Sequence, residues 1–346
     1  MTPLSRRVLM RSAAASLALP VLARAGHARA EIGPDGVALL VGGPAGGALD
    51  HWASLLAPPI GHALPGDRGL RRVPTGGLDG VTAANQFEAQ AVPDGDTACL
   101  LPGAAPLAWL IGDPRVHFDP RGWLPMLAVI APSVIALRLS ATKAPVSRPR
   151  LAISGTNSPD LAALIALTML GLDPRPVWLP GGGVGQPDDA AEAALVAGRV
   201  DALLLRGRNL TARLAALPAG VRPFCALSAE VAPARGKDPA DFVELHQELR
   251  GTEPSGALYD ALRATTAAGR LEAGLVLPAL TPAARAAQWH QASADVAASL
   301  AMQQVAMDAG VQLAGPQQAA GLLATIAVHA EARVALRGFI GTLHPA

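Results

Sequence analysis

The chain has 346 residues, of which 51% are hydrophobic, 16% charged and only 3% aromatic, and its formal net charge is +1. This length and apolar content predict a globular protein with a large core and more than one domain, and they exclude a disordered chain. The balanced charge gives no support for nucleic-acid binding. The scarcity of aromatic side chains argues against sugar and nucleobase sites, which use ring stacking.

Residues 1–30 differ from the rest of the chain, since they carry five arginines, no acidic residue and a short apolar segment at residues 12–25. Arg6 and Arg7 form a twin-arginine box, and Ala28-Arg29-Ala30 is an A-x-A cleavage site. We therefore predict an export signal of the twin-arginine type over residues 1–30. A membrane anchor is the alternative, but the apolar run is shorter than the ~20 residues that a span needs. Loss of the five arginines would change the formal charge from +1 to −4.

A glycine-rich loop follows the first predicted strand. Residues 37–41 are continuously apolar, which predicts a buried strand of a parallel sheet, and a helix is predicted over residues 48–60. Between them lie Pro44 and four glycines, Gly42, Gly43, Gly46 and Gly47. Glycines leave backbone N–H groups uncovered, so a loop of this kind at a helix start can bind an anion. Asp50 lies in the first helical turn, where the helix dipole alone also favours a carboxylate.

The same pattern occurs a second time. A short strand ends at Val73, residues 74–85 form a second glycine loop, and a helix is predicted to residue 91. Two such units side by side in a parallel sheet direct both helix starts to one crevice, where open α/β sheets bind ligands. Asp79 in the second loop is either a helix N-cap or a ligand contact.

The chain then continues into a second lobe. A strand is predicted at residues 97–101, an apolar segment at residues 123–137 crosses over, and a strand at residues 151–153 leads through the loop 154–158 into a helix at 159–171. A glycine run follows residue 180. It does not match a dinucleotide-binding fingerprint, because Gln186 occupies the third glycine position. A helix is predicted at residues 188–197 and a strand at residues 202–205.

Arg206 and Arg208 close that last strand. They are either a fork for a ligand carboxylate or two solvated side chains. Residues 222–227 are predicted to cross back to the first lobe. Polar helices are expected at residues 230–280, a helix at residues 281–307, and a final helix after residue 316 that packs on the first lobe.

Four motifs resemble those of one family, the periplasmic receptors of tripartite tricarboxylate transporters, also called Bug-type solute receptors. Residues 43–50 are similar to its P-x-G-G-x-x-D, residues 77–85 to G-A-G-G-x-x-G-A-N, residues 93–97 to P-D-G-Y-T and residues 118–120 to Y-D-P. The resemblance covers residues 37–227 well and the C-terminal third in outline. It departs at Asp79, Ala83 and Asp96, where the family has glycine, glycine and tyrosine.

The resemblance implies an α/β, two-lobe periplasmic binding protein fold of type II. Each lobe would be a mainly parallel sheet flanked by helices, and crossing strands would join the lobes. Residues 31–128 and 227–346 would form the first lobe, and residues 129–226 the second.

The implied function is capture of a small organic acid in the periplasm, without chemistry and without a cofactor or metal, by a monomer that closes about a hinge and is read by membrane transporter subunits. The expected ligand contacts are Pro44, Ala45, Gly46, Gly47, Asp50, Asp79, Gly80, Val81, Thr82, Gly103, Ala104, Thr156, Asn157, Ser158, Gly181, Gly182 and Arg206. A charged Asp79 would repel a carboxylate at ~4 Å by roughly 1–4 kcal/mol. Asp79 therefore either caps its helix or marks a ligand that is not a simple carboxylate.

Two other functions stay open at this point. An exported enzyme would need a base such as His51, which stands beside Asp50, yet adjacent helical residues face different directions. A receptor without transport that serves a sensor would show the same sequence features. Cys99 and Cys225 lie in apolar runs and are expected to be buried, with a disulfide as the alternative.

Overall fold

A computed structural model describes residues 36–140, 145–179, 189–227 and 239–343. The predicted export signal at residues 1–30 lies outside these ranges. Within them the chain forms two β-sheets flanked by helices, which confirms the predicted two-lobe α/β architecture. The strands are β1 Val37–Val41, β2 Leu70–Pro74, β3 Thr97–Leu101, β4 Leu124–Ile130, β5 Ser133–Arg138, β6 Arg150–Ile153, β7 Arg175–Trp178, β8 Ala202–Arg206, β9 Val221–Ala226, β10 Leu271–Leu277 and β11 Gln312–Ala314.

The first sheet has the strand order β11-β4-β10-β3-β1-β2. Strand β1 pairs in parallel with β2 and β3, whereas β10 runs antiparallel to both β3 and β4. The sheet is therefore mixed, although β1 to β4 share one direction. Both faces are covered, which is why β1 is a continuous apolar run: Val37, Leu39 and Val41 lie in one core cluster and Leu40 in another.

The second sheet has the order β7-β6-β8-β5-β9 and is mixed in the same way. Strand β6 is parallel to β7 and β8, and β5 is antiparallel to β8 and β9. The chain enters this sheet through Ala131 and Pro132, which divide the predicted apolar segment 123–137 into β4 and β5. The predicted lobe boundaries at residues 128 and 226 stay predictions.

The helices are α1 Ala48–Ala63, α2 Val81–Gln90, α3 Ala104–Ile111, α4 Asp160–Met169, α5 Asp189–Val196, α6 Leu210–Ala215, α7 Phe242–Arg250, α8 Ala257–Arg270, α9 Ala283–Ala298, α10 Leu300–Ala309, α11 Pro316–Ile326 and α12 Ala330–Gly341. The apolar cluster that contains α1, α9 and α10 lies on one face of the first sheet. Helix α11 packs on β4, and α12 on α3 and α8, so the final segment does pack on the first lobe.

Two predicted elements differ from the structure, and one helix of the structure has no counterpart among the predicted elements. Residues 281–307 form two helices, because Ser299 ends α9 and its side chain accepts a hydrogen bond from the Met302 N–H at the start of α10. Residues 222–227 do not cross back, since β9 is an edge strand of the second sheet; among the described residues the next strand of the first sheet is β10. Helix α3, buried on every side, was not predicted.

Candidate functional site

The two glycine loops of the first lobe lie against each other. They follow the carboxyl ends of β1 and β2, which are neighbours in the sheet, and the start of the β3–α3 loop joins them. A Cβ on Gly42 would lie 3.2 Å from Gly80 Cα and 3.2 Å from Pro102 Cδ. Gly80 has φ +72°, a backbone conformation that favours glycine, and a Cβ there would lie 2.5 Å from Pro102 Cδ. Both the backbone conformation and the close contact therefore require glycine at this position.

The first loop is held by Asp50. Its carboxylate accepts a hydrogen bond from the Gly46 N–H at 2.8 Å and one from Arg72 Nη1 at 2.7 Å. No side chain caps the start of α1, and within the described residues no hydrogen bond uses the N–H groups of Ala48 and Leu49. The Asp50 side chain therefore holds the first loop in place. The backbone N–H groups of Ala48 and Leu49, in the first turn of α1, are the donors without a partner among the described residues.

The second loop is closed by Asp79. Its Oδ1 accepts a hydrogen bond from the Val81 N–H at 3.2 Å, and its Oδ2 lies 2.8 Å from Arg115 Nη1. The Arg115 guanidinium also donates to Asp113, and this hydrogen bond lowers the pKa of Asp113 and raises that of Arg115. Asp79, one residue before the N-cap Gly80, thus satisfies the first N–H of α2, and its role as a ligand contact stays a prediction. Thr82, which follows Val81 in α2, is exposed.

Gly103 and Ala104 are buried at the start of α3. The Gly103 N–H donates to the Leu271 carbonyl at 2.9 Å, and a Cβ on Gly103 would lie 1.8 Å from the Ala268 carbonyl oxygen. The helix start expected to face a ligand is therefore filled by the carboxyl end of α8. This arrangement depends on a contact distant in sequence, which the local pattern did not reveal.

The loop of the second lobe at residues 154–158 has its own internal carboxylate. Asp160 Oδ2, in the first turn of α4, accepts hydrogen bonds from the N–H and hydroxyl of Ser154 and from the hydroxyl of Ser158. Ser158 is buried, whereas Thr156 is half-buried and Asn157 is exposed. Of the three predicted contacts in this loop, Thr156 and Asn157 are thus the ones that remain accessible. The predicted contacts Gly181 and Gly182 lie outside the described residues.

Arg206 is buried at the end of β8 and is not a solvated side chain. Its Nη1 donates to the Gly269 carbonyl at 3.0 Å and lies 3.8 Å from Glu272 Oε1. Both partners belong to the segment where the chain re-enters the first sheet. Arg206 therefore connects the two sheets, and Arg208, two residues later, is the exposed member of the pair.

Other candidate chemistry is sparse in the described part of the chain. His51 is exposed on α1 and no hydrogen bond in the described ranges orients its ring, and no cluster of three or more histidine, cysteine or acidic residues is placed to hold a metal there. Cys99 and Cys225 are free thiols in different sheets, so they do not pair, and burial raises the pKa of each thiol.

One surface cavity of about 450 Å³ lies between α1 and β2. His62, Asp67 and Arg72 are among its lining residues, and none of the predicted ligand contacts is. Within the described ranges, no single helix combines the length and apolar composition needed to cross a membrane, although α11 and α12 reach them jointly across a 61° bend.

No protein-family model matches the chain, and no curated protein sequence matches it. Solved structures do. A TctC solute binding protein from Polaromonas, without ligand, is 16% identical with a TM-score of 0.64, and the match covers 89% of this chain and 98% of that one. MatC from Rhodopseudomonas palustris with bound malate is 19% identical with a TM-score of 0.54, and the match covers 88% of this chain and 98% of that one. Rpa4515 from R. palustris with adipate is 17% identical with a TM-score of 0.54, and the match covers 88% of this chain and 97% of that one.

The chain has the fold of these solute-binding proteins. The resemblance drawn from the four motifs is therefore confirmed at the level of the fold. In this structure the loops after β1 and β2 meet at one end of the first sheet, and the exposed residues there include Pro44, Ala45, Ala48 and Thr82.

Proposed function

We propose that this chain is an exported, periplasmic solute-binding protein that captures a small organic acid through the start of α1. The observation that carries the proposal is the contact between the two glycine loops at Gly42 and Gly80, beside a helix start that no side chain caps. Backbone N–H groups at the start of a helix are favourable partners for an anion, because the helix dipole adds to the hydrogen bonds.

The charges around the loops are compatible with an acid as ligand. The carboxylates of Asp50 and Asp79 are each paired with an arginine, Arg72 and Arg115, within 2.8 Å. A ligand carboxylate at α1 would therefore meet the neutral pair of Asp50 and Arg72, while Asp79 shares Arg115 with Asp113 and keeps part of its negative charge beside α2. The bound malate and adipate of two proteins with this fold support the same class of ligand.

Delivery to a tripartite tricarboxylate-type transporter is the finer part of the proposal. It is supported by the four motifs and by the fold shared with a TctC solute binding protein. Export by the twin-arginine route is supported by the arginine pair and cleavage site in residues 1–30.

Calorimetry of the chain without residues 1–30 tests ligand binding directly. The panel contains malate, adipate, citrate, an aromatic acid and an amino acid, and we expect one aliphatic acid to bind clearly more tightly than the others. If none of them binds at millimolar concentration, the proposal is wrong.

A proline substitution tests the location of the site. Ala48 is the first residue of α1 and exposed, and proline is tolerated at this helix position while it removes the N–H donor. We expect Ala48→Pro to weaken acid binding about 10-fold, which corresponds to the loss of one charge-assisted hydrogen bond of about 1.4 kcal/mol. Ala283→Pro, at the exposed first position of α9, is the matched control and should bind like the parent protein.

A further inference from the structure

Positive and negative charges are divided unevenly along this chain. Residues 133–226, which contain strands β5 to β9 of the second sheet, have ten basic and six acidic residues. The remainder of the chain after residue 30 has 13 basic and 21 acidic residues. The segment of the second sheet therefore has a formal charge of +4 and the rest a charge of −8, although the two together give only −4.

A concentration of arginines lies at one end of the second sheet. Strands β6 and β7 begin there, because Arg150 is paired with Arg175, and the first residue of β8 is paired with the second residue of β6. Strand β5 ends and β9 begins at the same end, because Arg138 is paired with Val221. We call this end the basic pole and define it by six arginines, Arg138, Arg148, Arg150, Arg175, Arg199 and Arg222, beside which the described acidic residues are Asp173 and Asp201.

The basic pole is separate from the expected ligand contacts. Those of the second lobe follow the carboxyl ends of β6 and β7 or lie at the end of β8, whereas the pole is formed where these three strands begin. None of the six arginines is among the expected contacts. The charge at the pole is therefore not explained by capture of an acid.

Three of the six arginines have partners within the fold. Arg150 donates to the Asp201 carboxylate at 2.8 and 2.9 Å and to a backbone carbonyl after α5 at 2.8 Å. Arg138 donates to a carbonyl of α5 at 3.0 Å and lies 3.7 Å from the same carboxylate. Arg148 donates to Asp173 at 2.7 Å. These side chains satisfy the carboxyl end of α5 and the two acids, which is a structural role.

The other three arginines have no such role. Arg175, Arg199 and Arg222 are exposed, and none of them forms an ion pair with a described residue. Arg222 Nη1 has one long hydrogen bond, at 3.5 Å, to the carbonyl of the preceding residue. Three guanidinium groups at one end of the sheet are thus available to an anion outside the protein, and guanidinium geometry suits phosphate oxygens.

Exposed apolar residues stand close to these arginines in the sequence. Val196, in the last turn of α5, is 71% exposed and precedes Arg199 by three residues. Ala219 is exposed and precedes Arg222 by three residues, in a loop at 215–220 that contains no acidic residue. Arginines combined with exposed apolar side chains are typical of surfaces that lie in the headgroup region of a bilayer.

We propose that the basic pole of the second sheet binds the surface of an anionic phospholipid bilayer. Phosphate groups would pair with Arg175, Arg199 and Arg222, and Val196 would enter the headgroup region. The negative charge of the rest of the chain favours one orientation, because an anionic plane repels that part and attracts the pole. An acidic protein segment would match the arginines as well, but it gives no reason for the exposed valine. The inference goes beyond the proposed function, since lipid binding requires no acid ligand.

Vesicle binding tests the proposal. The chain without residues 1–30 is used, because the five arginines of that segment would themselves bind anionic lipid. Its affinity is measured by sedimentation with vesicles of phosphatidylethanolamine containing about 30% phosphatidylglycerol, and with vesicles of phosphatidylcholine. We expect binding to the anionic vesicles to be at least about 10-fold tighter at about 0.05 M salt and to be lost at about 0.5 M salt, where charges are screened.

A triple variant tests the three free arginines. Arg175→Gln, Arg199→Gln and Arg222→Gln together should weaken binding to the anionic vesicles about 100-fold, because each basic residue near such a surface contributes about 5-fold. The three side chains are exposed and unpaired among the described residues, so circular dichroism and the melting temperature should match the parent protein.

A matched control removes the same charge from other parts of the chain. Arg71, Arg263 and Arg337 are exposed, have no ion pair with a described residue and lie outside the second sheet. The triple variant Arg71→Gln, Arg263→Gln and Arg337→Gln changes the net charge equally. We expect its affinity for the anionic vesicles to stay within about 3-fold of the parent, since these residues face away from the bilayer in the proposed orientation.

A fluorescent label reports the orientation independently of these variants. Val196→Cys places an environment-sensitive dye at the pole, and Leu300→Cys places it on α10 beside the first sheet, where the residue is 88% exposed. The native thiols of Cys99 and Cys225 are buried and stay unlabelled. We expect anionic vesicles to increase the emission of the dye at residue 196 and to leave the dye at residue 300 unchanged.

Equal binding of the parent protein to the two kinds of vesicle at low salt would overturn the proposal and make an acidic protein segment the occupant to test next. Unchanged binding of the first triple variant, equal losses in both triple variants, or equal changes of emission at residues 196 and 300 would overturn the assignment to the pole. Since the vesicles contain no small organic acid, failure of every acid to bind would contradict the proposed function and leave this test intact.

Discussion

Replacing Gly80 by alanine tests the contact between the glycine loops at a single atom. The residue adopts φ +72°, and a side chain in this left-handed region costs about 1 kcal/mol relative to glycine. The new Cβ would also lie 2.5 Å from Pro102 Cδ and 2.9 Å from its Cγ, and these are ring atoms that cannot rotate away. Overpacking of this kind costs typically 1–3 kcal/mol. We expect Gly80→Ala to lower the free energy of unfolding by about 2–4 kcal/mol.

Two other glycines of the loops separate the backbone cost from the overpacking cost. Gly46 also has a positive φ, +75°, but no atom lies within 4 Å of its Cβ position, so Gly46→Ala should cost only the backbone term of about 1 kcal/mol. Gly76 has neither feature, and Gly76→Ala should be neutral or stabilising by up to about 1 kcal/mol. The three variants thus differ by one physical cause at a time.

Urea denaturation followed by circular dichroism gives the free energies, and melting temperatures give a second reading. We expect Gly80→Ala to lower Tm by roughly 3–6 °C. Calorimetry with the bound acid should show weaker binding for Gly80→Ala, because Pro102 and the first loop must move. Equal stability of Gly80→Ala and Gly46→Ala would refute the close approach of the loops at Pro102.

Three other predictions concern regions outside the loops. Leu280 has φ +65° and is 89% exposed, so Leu280→Gly should raise the free energy of unfolding by about 0.5–1 kcal/mol in urea denaturation. A lower free energy of unfolding would show that the Leu280 side chain makes a stabilising contact. The Arg150 hydrogen bonds lower the pKa of the buried Asp201, so the stabilisation by this carboxylate is fully present above about pH 4 and is lost as the pH falls through the lowered pKa. Asp201→Asn should therefore cost about 1–3 kcal/mol at pH 7 and progressively less as the pH falls below about 4. Cys99 and Cys225 should react with a thiol reagent only in denaturant, and rapid labelling of the native protein would contradict their burial.

The parts of the fold that the sequence predicted are those encoded locally. Continuous apolar runs marked β1, β3, β6 and β8, and glycine loops followed by helices marked the carboxyl ends of β1 and β2. The contact between these loops followed from parallel pairing, which places such ends side by side. The break in the helix over residues 281–307 also had a local signal, Ser299, a favoured N-cap residue.

The parts that were missed depend on contacts between distant residues. Arg72 and Arg115 pair with Asp50 and Asp79, but they lie 22 and 36 positions away in the sequence, and no local pattern predicts the pairing. Helix α8 has an apolar face that predicts burial, yet the pattern does not say that two lobes share it. The burial of Gly103 and Arg206 follows from that helix, so neither could be assigned without it.

Asp79 opposes carboxylate binding less than a free acid would. The repulsion of roughly 1–4 kcal/mol expected from a free carboxylate at ~4 Å is reduced by Arg115, whose guanidinium lies 2.8 Å from the same group and is shared with Asp113. The protein also supplies its own acceptors to two helix starts of the first lobe: Asp79 at α2 and the Leu271 carbonyl at α3. Among the described helices that follow strands β1, β2 and β3, this leaves α1 as the one whose start has no internal acceptor from a side chain or a distant carbonyl. An anion captured in the first lobe therefore has a defined place to bind, and the substitution of glycine by Asp79 closes the competing start of α2.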